Sequence, residues 1–173
     1  MQFALILSFI AYTHSIMAQN GLTEPKLEFI FETTVTLDPP QELGITTYGK
    51  RRIIPITGGT FEGPHMKGTI LPGGADWQTV RTDGTADLEA RYTLKTDDGV
   101  LIYIQNSGIR TGTPAVLARL AKGEKVEPSE YYMRTAAHFE VAEGKYAWLT
   151  KAVVVSTGMR NANSVVIRFY RVL

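Results

Sequence analysis

Residues 51–77 read RRIIPITGGTFEGPHMKGTILPGGADW, two apolar runs cut by paired glycines and finished by an acid and an indole. Gly58-Gly59 and Gly73-Gly74, with Gly63-Pro64 between them, reach φ > 0 or a sharp bend without a Cβ clash, which is how a curved sheet turns its corners. The stretch therefore reads as strand, corner, strand, corner, and predicts a sheet that curves. Asp76 and Trp77 are delivered after the second corner.

Upstream, Leu27 to Leu37 (LEFIFETTVTL) sets Leu27, Phe29, Phe31, Thr33, Val35 and Leu37 on one side, the period-two pattern of a half-buried strand. Asp38-Pro39-Pro40 stops it, since proline cannot donate to a ladder, and Gln41 to Gly49 reads as a loop. Downstream, Asp76 to Arg81 is a short strand ended by Thr82-Asp83-Gly84. Ala86, Leu88, Ala90, Tyr92 and Leu94 then alternate with Asp87, Glu89, Arg91, Thr93 and Lys95. Asp98-Gly99 signals a hairpin that returns through Val100 to Ser107. A two-residue loop there puts odd positions of the first strand opposite even positions of the second. Glu89 and Arg91 then share a face with Ile102, Ile104 and Asn106, and Tyr92 shares the other with Leu101, Tyr103 and Gln105.

Thr113 and Pro114 are a natural N-cap and first helical residue, and Gly123 a stop. The two turns between them must dock Val116, Leu117 and Leu120, as a plug or a lid. Tyr131 to Val141 alternates Tyr131, Met133, Phe139 and Val141 with Arg134 and His138, and strands over Tyr146 to Thr157 and Val165 to Val172 follow. The expectation is an all-β fold, a closed or nearly closed antiparallel β-barrel of about nine strands with one short helix, because closure removes exposed edges.

Residues 1–18 (MQFALILSFIAYTHSIMA) have the apolar run and small final residue of a signal peptide, although their only positive charge is the amino terminus. The run is too short to span a bilayer, which needs roughly 20 apolar residues. The expected organisation is a signal peptide over 1–18, a linker over 19–26 and a single β-barrel domain over 27–173. This implies export to a periplasm or medium, and a cytoplasmic protein if that segment is no signal. The 173 residues include no cysteine and carry a net charge of +1. Those numbers exclude a disulfide framework and a thiol nucleophile and argue against a nucleic-acid partner.

GGTFEGP (58–64), KGTILPGGADWQ (67–78), LEARYTLKTDDGVLIYIQNSGIR (88–110), YYMRTAAHFE (131–140) and YAWLTK (146–151) together resemble a family of small uncharacterised proteins of bacteria and fungi, a domain of unknown function that includes bacterial "UPF" proteins with GGADWQ. The resemblance runs from about residue 27 to the end and implies a compact β-barrel. It implies no activity. Thr150 and Glu89 depart from its pattern.

The candidate chemistry starts at Asp76, a carboxylate beside an aromatic wall that could act as a general acid or base; the bland reading is that it caps a turn while Trp77 fills the core. Arg91 is the second candidate catalytic group. Trp77, Asn106, Arg134 and Tyr103 are the candidate substrate contacts, the arginines offering planar forks to a carboxylate; an outward ion-pair ladder is the bland reading. His65 and His138 lack metal-ligand spacing, and no cofactor motif is present. The reading is a small-molecule-binding barrel, with acid–base isomerase or lyase chemistry on an organic carboxylate or carbonyl compound. The alternative is a non-catalytic barrel that dimerises through the sheet face carrying Val100, Ile102 and Ile104.

Overall fold

The computed structural model describes residues 22–173, so the expected signal peptide lies outside the described residues. Ten strands are present: β1 (Leu27–Leu37), β2 (Gln41–Thr46), β3 (Gly49–Glu62), β4 (Lys67–Ile70), β5 (Gly74–Val80), β6 (Ala86–Thr96), β7 (Leu101–Gly112), β8 (Tyr131–Val141), β9 (Val154–Arg160) and β10 (Ser164–Val172). All pairings are antiparallel, and the path β1-β10-β9-β8-β7-β6-β4-β3 returns to β1 through a β1–β3 ladder. The sheet is thus a closed barrel of eight positions. β5 lies in the same slot as β4, between β3 and β6, and β2 extends β3 as a hairpin flap.

The glycine reading holds in kind but not in detail. β3 does not stop at Gly58-Gly59. It runs through them, with φ at +145° and +140°, and leaves β5 to pair with β1 and β4. A Cβ on Gly59 would lie 2.1 Å from the Thr34 carbonyl oxygen, so only glycine lets two backbones pass this closely. Gln41 to Gly49, expected as loop, supplies β2, and this brings the strand count to ten. In β1 the register shifts between Phe29 and Phe31, so Ile30 and Phe31 are both fully buried while Leu27 and Phe29 are exposed. A bulge there overrides the strict alternation. Ala147–Lys151, expected within a strand, forms a 3-10 turn that puts Leu149 into the core at 1% exposure.

One residue of loop length overturns the predicted hairpin faces. Lys95 pairs with Leu101, and the Thr96 N–H donates to the Val100 carbonyl. The loop therefore holds three residues, Asp97-Asp98-Gly99, with Gly99 at φ +87°. Even positions face even positions, and Tyr92 pairs with Ile104 and Ala90 with Asn106. Ile102 and Ile104 are fully buried in the core, so they offer no sheet face for a dimer.

The two ends of the barrel differ. At the end where β1 begins, Phe31, Phe61, Phe139 and Phe169 pack together, Phe31 stacking on Phe169 with centroids 4.7 Å apart. Leu149 joins the same core cluster, and the Tyr146 hydroxyl donates to Asp98 at 3.0 Å. At the other end stands α1 (Pro114–Ala121), capped by Thr113 and followed by Gly123 at φ +75°, as the sequence predicts. It buries Leu120 and partly buries Val116 and Leu117. Among the described residues no helix is long and apolar enough to cross a membrane.

Candidate functional site

The half of the barrel beyond the phenylalanines encloses a small void. A cavity of about 40 Å³ is walled by aliphatic side chains, among them Ile54, Leu88, Val165 and Ile167, and by the polar residues Asp76, Gln78, Tyr92, Asn106, Arg110, Thr135, Ser156 and Arg160. Strand alternation places each of them. Asp76 pairs with Ile54 on one side and Ala90 on the other, so the carboxyl faces inward and Trp77 outward. Ala90 pairs with Asn106, and two steps of two along β7 bring Gly108 and then Arg110 to the same inner face.

Asp76 is fixed on both oxygens. Oδ1 accepts the Glu89 backbone N–H at 2.9 Å, and Oδ2 accepts from the Gln78 side-chain amide. Gln78 in turn accepts from Arg52 Nε and Nη2 at 2.9 and 2.7 Å. Because a guanidinium only donates, this contact dictates which end of the Gln78 amide meets Asp76. The residue is partly accessible and lines the cavity. Desolvation by burial raises its pKa above the ordinary 3.8, and the bonds from Gln78 and Glu89 oppose that rise.

Three buried side-chain polar atoms have no hydrogen-bond partner among the described residues: Tyr92 Oη, Asn106 Oδ1 and Arg110 Nε. All three residues line this cavity. An unpaired buried polar group costs about 1–3 kcal/mol, and all three of these groups border one void. Burial, and secondarily the Asp76 charge, pushes the Tyr92 hydroxyl up, which keeps it a protonated donor. Arg110 is only 8% exposed. Its burial, then the charges of Arg52 and Arg160, bring its pKa down to about 10; Arg160 is lowered as well, by burial and then Arg52.

Of the residues singled out in the sequence, the structure brings Asp76 and Asn106 together. The others stand on the outer surface. Arg91 pairs there with Glu89 and lies 6.0 Å over the Trp77 ring. Arg134 lies 5.0 Å over Tyr132 and donates to the Met133 carbonyl. Tyr103 is half-buried between Thr93 and Glu140. The three-residue hairpin loop explains the misplacement of Arg91 and Tyr103 relative to Asn106. Gln78, Arg110, Arg52 and Arg160 were not anticipated. Extending the alternation of Ile102, Ile104 and Asn106 past Ser107 reaches Arg110, so its signal was present once the strand was allowed its full length. Among the described residues no group of three or more His, Asp or Glu could hold a metal.

The comparisons with known proteins agree with this architecture. Residues 25–172 match the model of the family described as "Protein of unknown function (DUF3237)". An uncharacterised UPF0311 protein of Clostridium acetobutylicum is 39% identical over 154 residues, which cover 88% of this chain and 98% of the relative. The crystal structure of a conserved protein of unknown function from Rhodopseudomonas palustris superposes with a TM-score of 0.85 at 38% identity, covering 88% of this chain and 100% of that one. A hydroalkoxylation enzyme, phnH of Penicillium herquei, is 30% identical over 107 residues, 62% of this chain and 70% of the relative.

Proposed function

The chain belongs to the DUF3237 family, and on that premise we propose that its barrel binds a small organic molecule in the cavity and exchanges a proton with it through Asp76. One observation carries the reading. A desolvated carboxyl with a raised pKa faces the same void as the unpartnered Tyr92 hydroxyl. A general acid or base works best when its pKa approaches the working pH, and burial is the means of raising a carboxyl toward it. The bonds from Gln78 and Glu89 hold both oxygens in one orientation, so proton transfer needs no rearrangement of the group itself.

The acid–base chemistry available at Asp76 and the Penicillium relative support one reaction class. Hydroalkoxylation adds an alcohol O–H across a carbon–carbon double bond: the O–H bond breaks, a C–O and a C–H bond form, and no oxidant or reductant is consumed. Its reverse is an elimination, so the class falls within the lyase-type acid–base chemistry expected of Asp76. The carboxylate takes the hydroxyl proton, and the resulting acid returns a proton to carbon. The Tyr92 hydroxyl and Arg110 stabilise the negative charge that develops on a conjugated carbonyl oxygen.

The test is proton exchange. A panel of hydroxy-substituted unsaturated ketones, incubated with the protein in D2O and followed by NMR, should show ring closure with deuterium appearing at the adjacent carbon. Asp76→Asn should lose the activity by about 10²-fold or more while keeping its circular dichroism spectrum. Equal turnover in Asp76→Asn would remove Asp76 from the chemistry.

A further inference from the structure

The cavity continues outward. A funnel of about 360 Å³ opens at the α1 end of the barrel, lined by Asp38, Arg52, Lys122 and other residues at the rim. Leu37, Ile54, Arg110 and Arg160 line both the funnel and the cavity, so they form a neck between solvent and Asp76. Two of the four neck residues are arginines, and Arg52 is near enough to both to disfavour their charge.

This cluster has no carboxylate partner among the described residues. None of Arg52, Arg110 and Arg160 forms a salt bridge among the described residues. Arg52 is held by the neutral amide of Gln78, Arg160 by the Ser164 carbonyl at 3.1 Å, and Arg110 Nε by no partner. Elsewhere on the surface arginines do meet carboxylates, as Arg81 meets Asp87 and Arg119 meets Glu130. Like charges gathered out of water repel each other and are poorly solvated, and a bound anion relieves both costs. Two carboxylates lie near, Asp76 on the cavity and Asp38 on the funnel, and neither forms an ion pair with these arginines among the described residues.

We propose that the neck is an oxyanion clamp, in which Arg110 and Arg160 grip the carboxylate or phenolate of an organic anion that enters apolar end first. Arg110 supplies the buried fork and Arg160 the second guanidinium, while Arg52 and Lys122 at the rim attract the anion from solvent. The apolar part packs in the funnel against Leu37 and Ile54 and points toward the smaller cavity, with Asp76 and Tyr92 beyond. This assignment narrows the substrate class of the acid–base reading above and rests on the same cavity.

Benzoate and benzyl alcohol, equal in framework and different in charge, separate the two ideas. Each is titrated by NMR into the wild type and into Arg110→Gln, Arg160→Gln, Asp76→Asn and the surface control Arg134→Gln, with folding checked by circular dichroism. Benzoate should shift the backbone resonances of residues 37, 54, 110 and 160 and bind about tenfold more weakly to Arg110→Gln or Arg160→Gln, the size of one charge-assisted hydrogen bond. It should bind Arg134→Gln unchanged and Asp76→Asn as well or better, since a competing negative charge is gone. Benzyl alcohol should show no preference among the variants. The clamp is overturned if benzoate fails to bind the wild type at millimolar concentration, binds Arg110→Gln and Arg160→Gln as well as wild type, or loses to benzyl alcohol. None of those outcomes touches the deuterium test of Asp76, whose failure would in turn leave anion binding standing.

Discussion

Gln78 donates its side-chain amide to Asp76, two residues back on the same strand and the same inner face. The bond favours the ionised carboxylate and works against the burial that raises its pKa. Replacing Gln78 with Leu, close in size but with no donor, should therefore raise the Asp76 pKa further above its wild-type value. ¹³C NMR titration of the Asp76 carboxyl measures this directly, and an unmoved or lowered midpoint would contradict the assigned bond. Arg52 loses its acceptor in the same variant, so a stability loss of about 1–3 kcal/mol is expected.

Gly59→Ala tests the strand crossing. The new Cβ would lie 2.1 Å from the Thr34 carbonyl oxygen at a φ of +140°, so β1 and β3 must separate where the barrel closes. A loss of about 2–4 kcal/mol is expected in urea unfolding. Gly73→Ala is the control: φ is +104° but nothing lies within 4 Å of its Cβ, leaving backbone strain alone at about 1 kcal/mol.

Arg91→Ala and Arg134→Ala should leave turnover and anion affinity at wild-type levels. Both side chains are exposed on the barrel's outside, one paired with Glu89 and the other lying over Tyr132. Exposed pairs of this kind contribute about 0–1 kcal/mol. A tenfold loss of activity in either variant, measured with the deuterium assay, would place the reacting surface outside the barrel.

Asp98 makes the acid side of the stability curve testable. Its bonds from Thr96 and Lys145, and from Tyr146, hold its carboxyl at about 2 against an ordinary 3.8. The unfolded chain therefore binds the proton first, and this contribution is complete above about pH 4 and disappears as pH falls toward 2. Asp98→Asn should melt below the wild type at pH 7, and the gap should close by pH 2. A gap independent of pH would show that charge on Asp98 is not what the hairpin turn uses.

Much of the barrel was legible because its signals are local. Period-two alternation gave β6 and β8, the Thr113-Pro114 pair and Gly123 gave α1, and paired glycines announced curvature. Asp76 and Asn106, both singled out in the sequence, line the cavity of the candidate site. Arg91, Tyr103 and Arg134 lie outside that cavity, because their location depends on the parity of a loop and on which face of a strand the closed sheet turns inward. Neither is encoded within the strand itself. Arg52, Arg110 and Arg160 come from β3, β7 and β9, and their meeting is set by the ring order of the strands, which no stretch of sequence contains. The bulge at Phe29–Phe31 and the 3-10 turn at Ala147–Lys151 likewise answer to packing across the barrel.

The first and last strands run side by side, with Leu27 paired to Val172 and the Leu173 N–H donating to the Lys26 carbonyl. Leu37, at the far end of β1, borders the neck, and eleven residues of strand span about 33 Å. A dye or bead attached at Leu27 or Leu173 would hang from the floor of the barrel and leave its doorway unobstructed, so the barrel can be tethered there while small anions are passed over it.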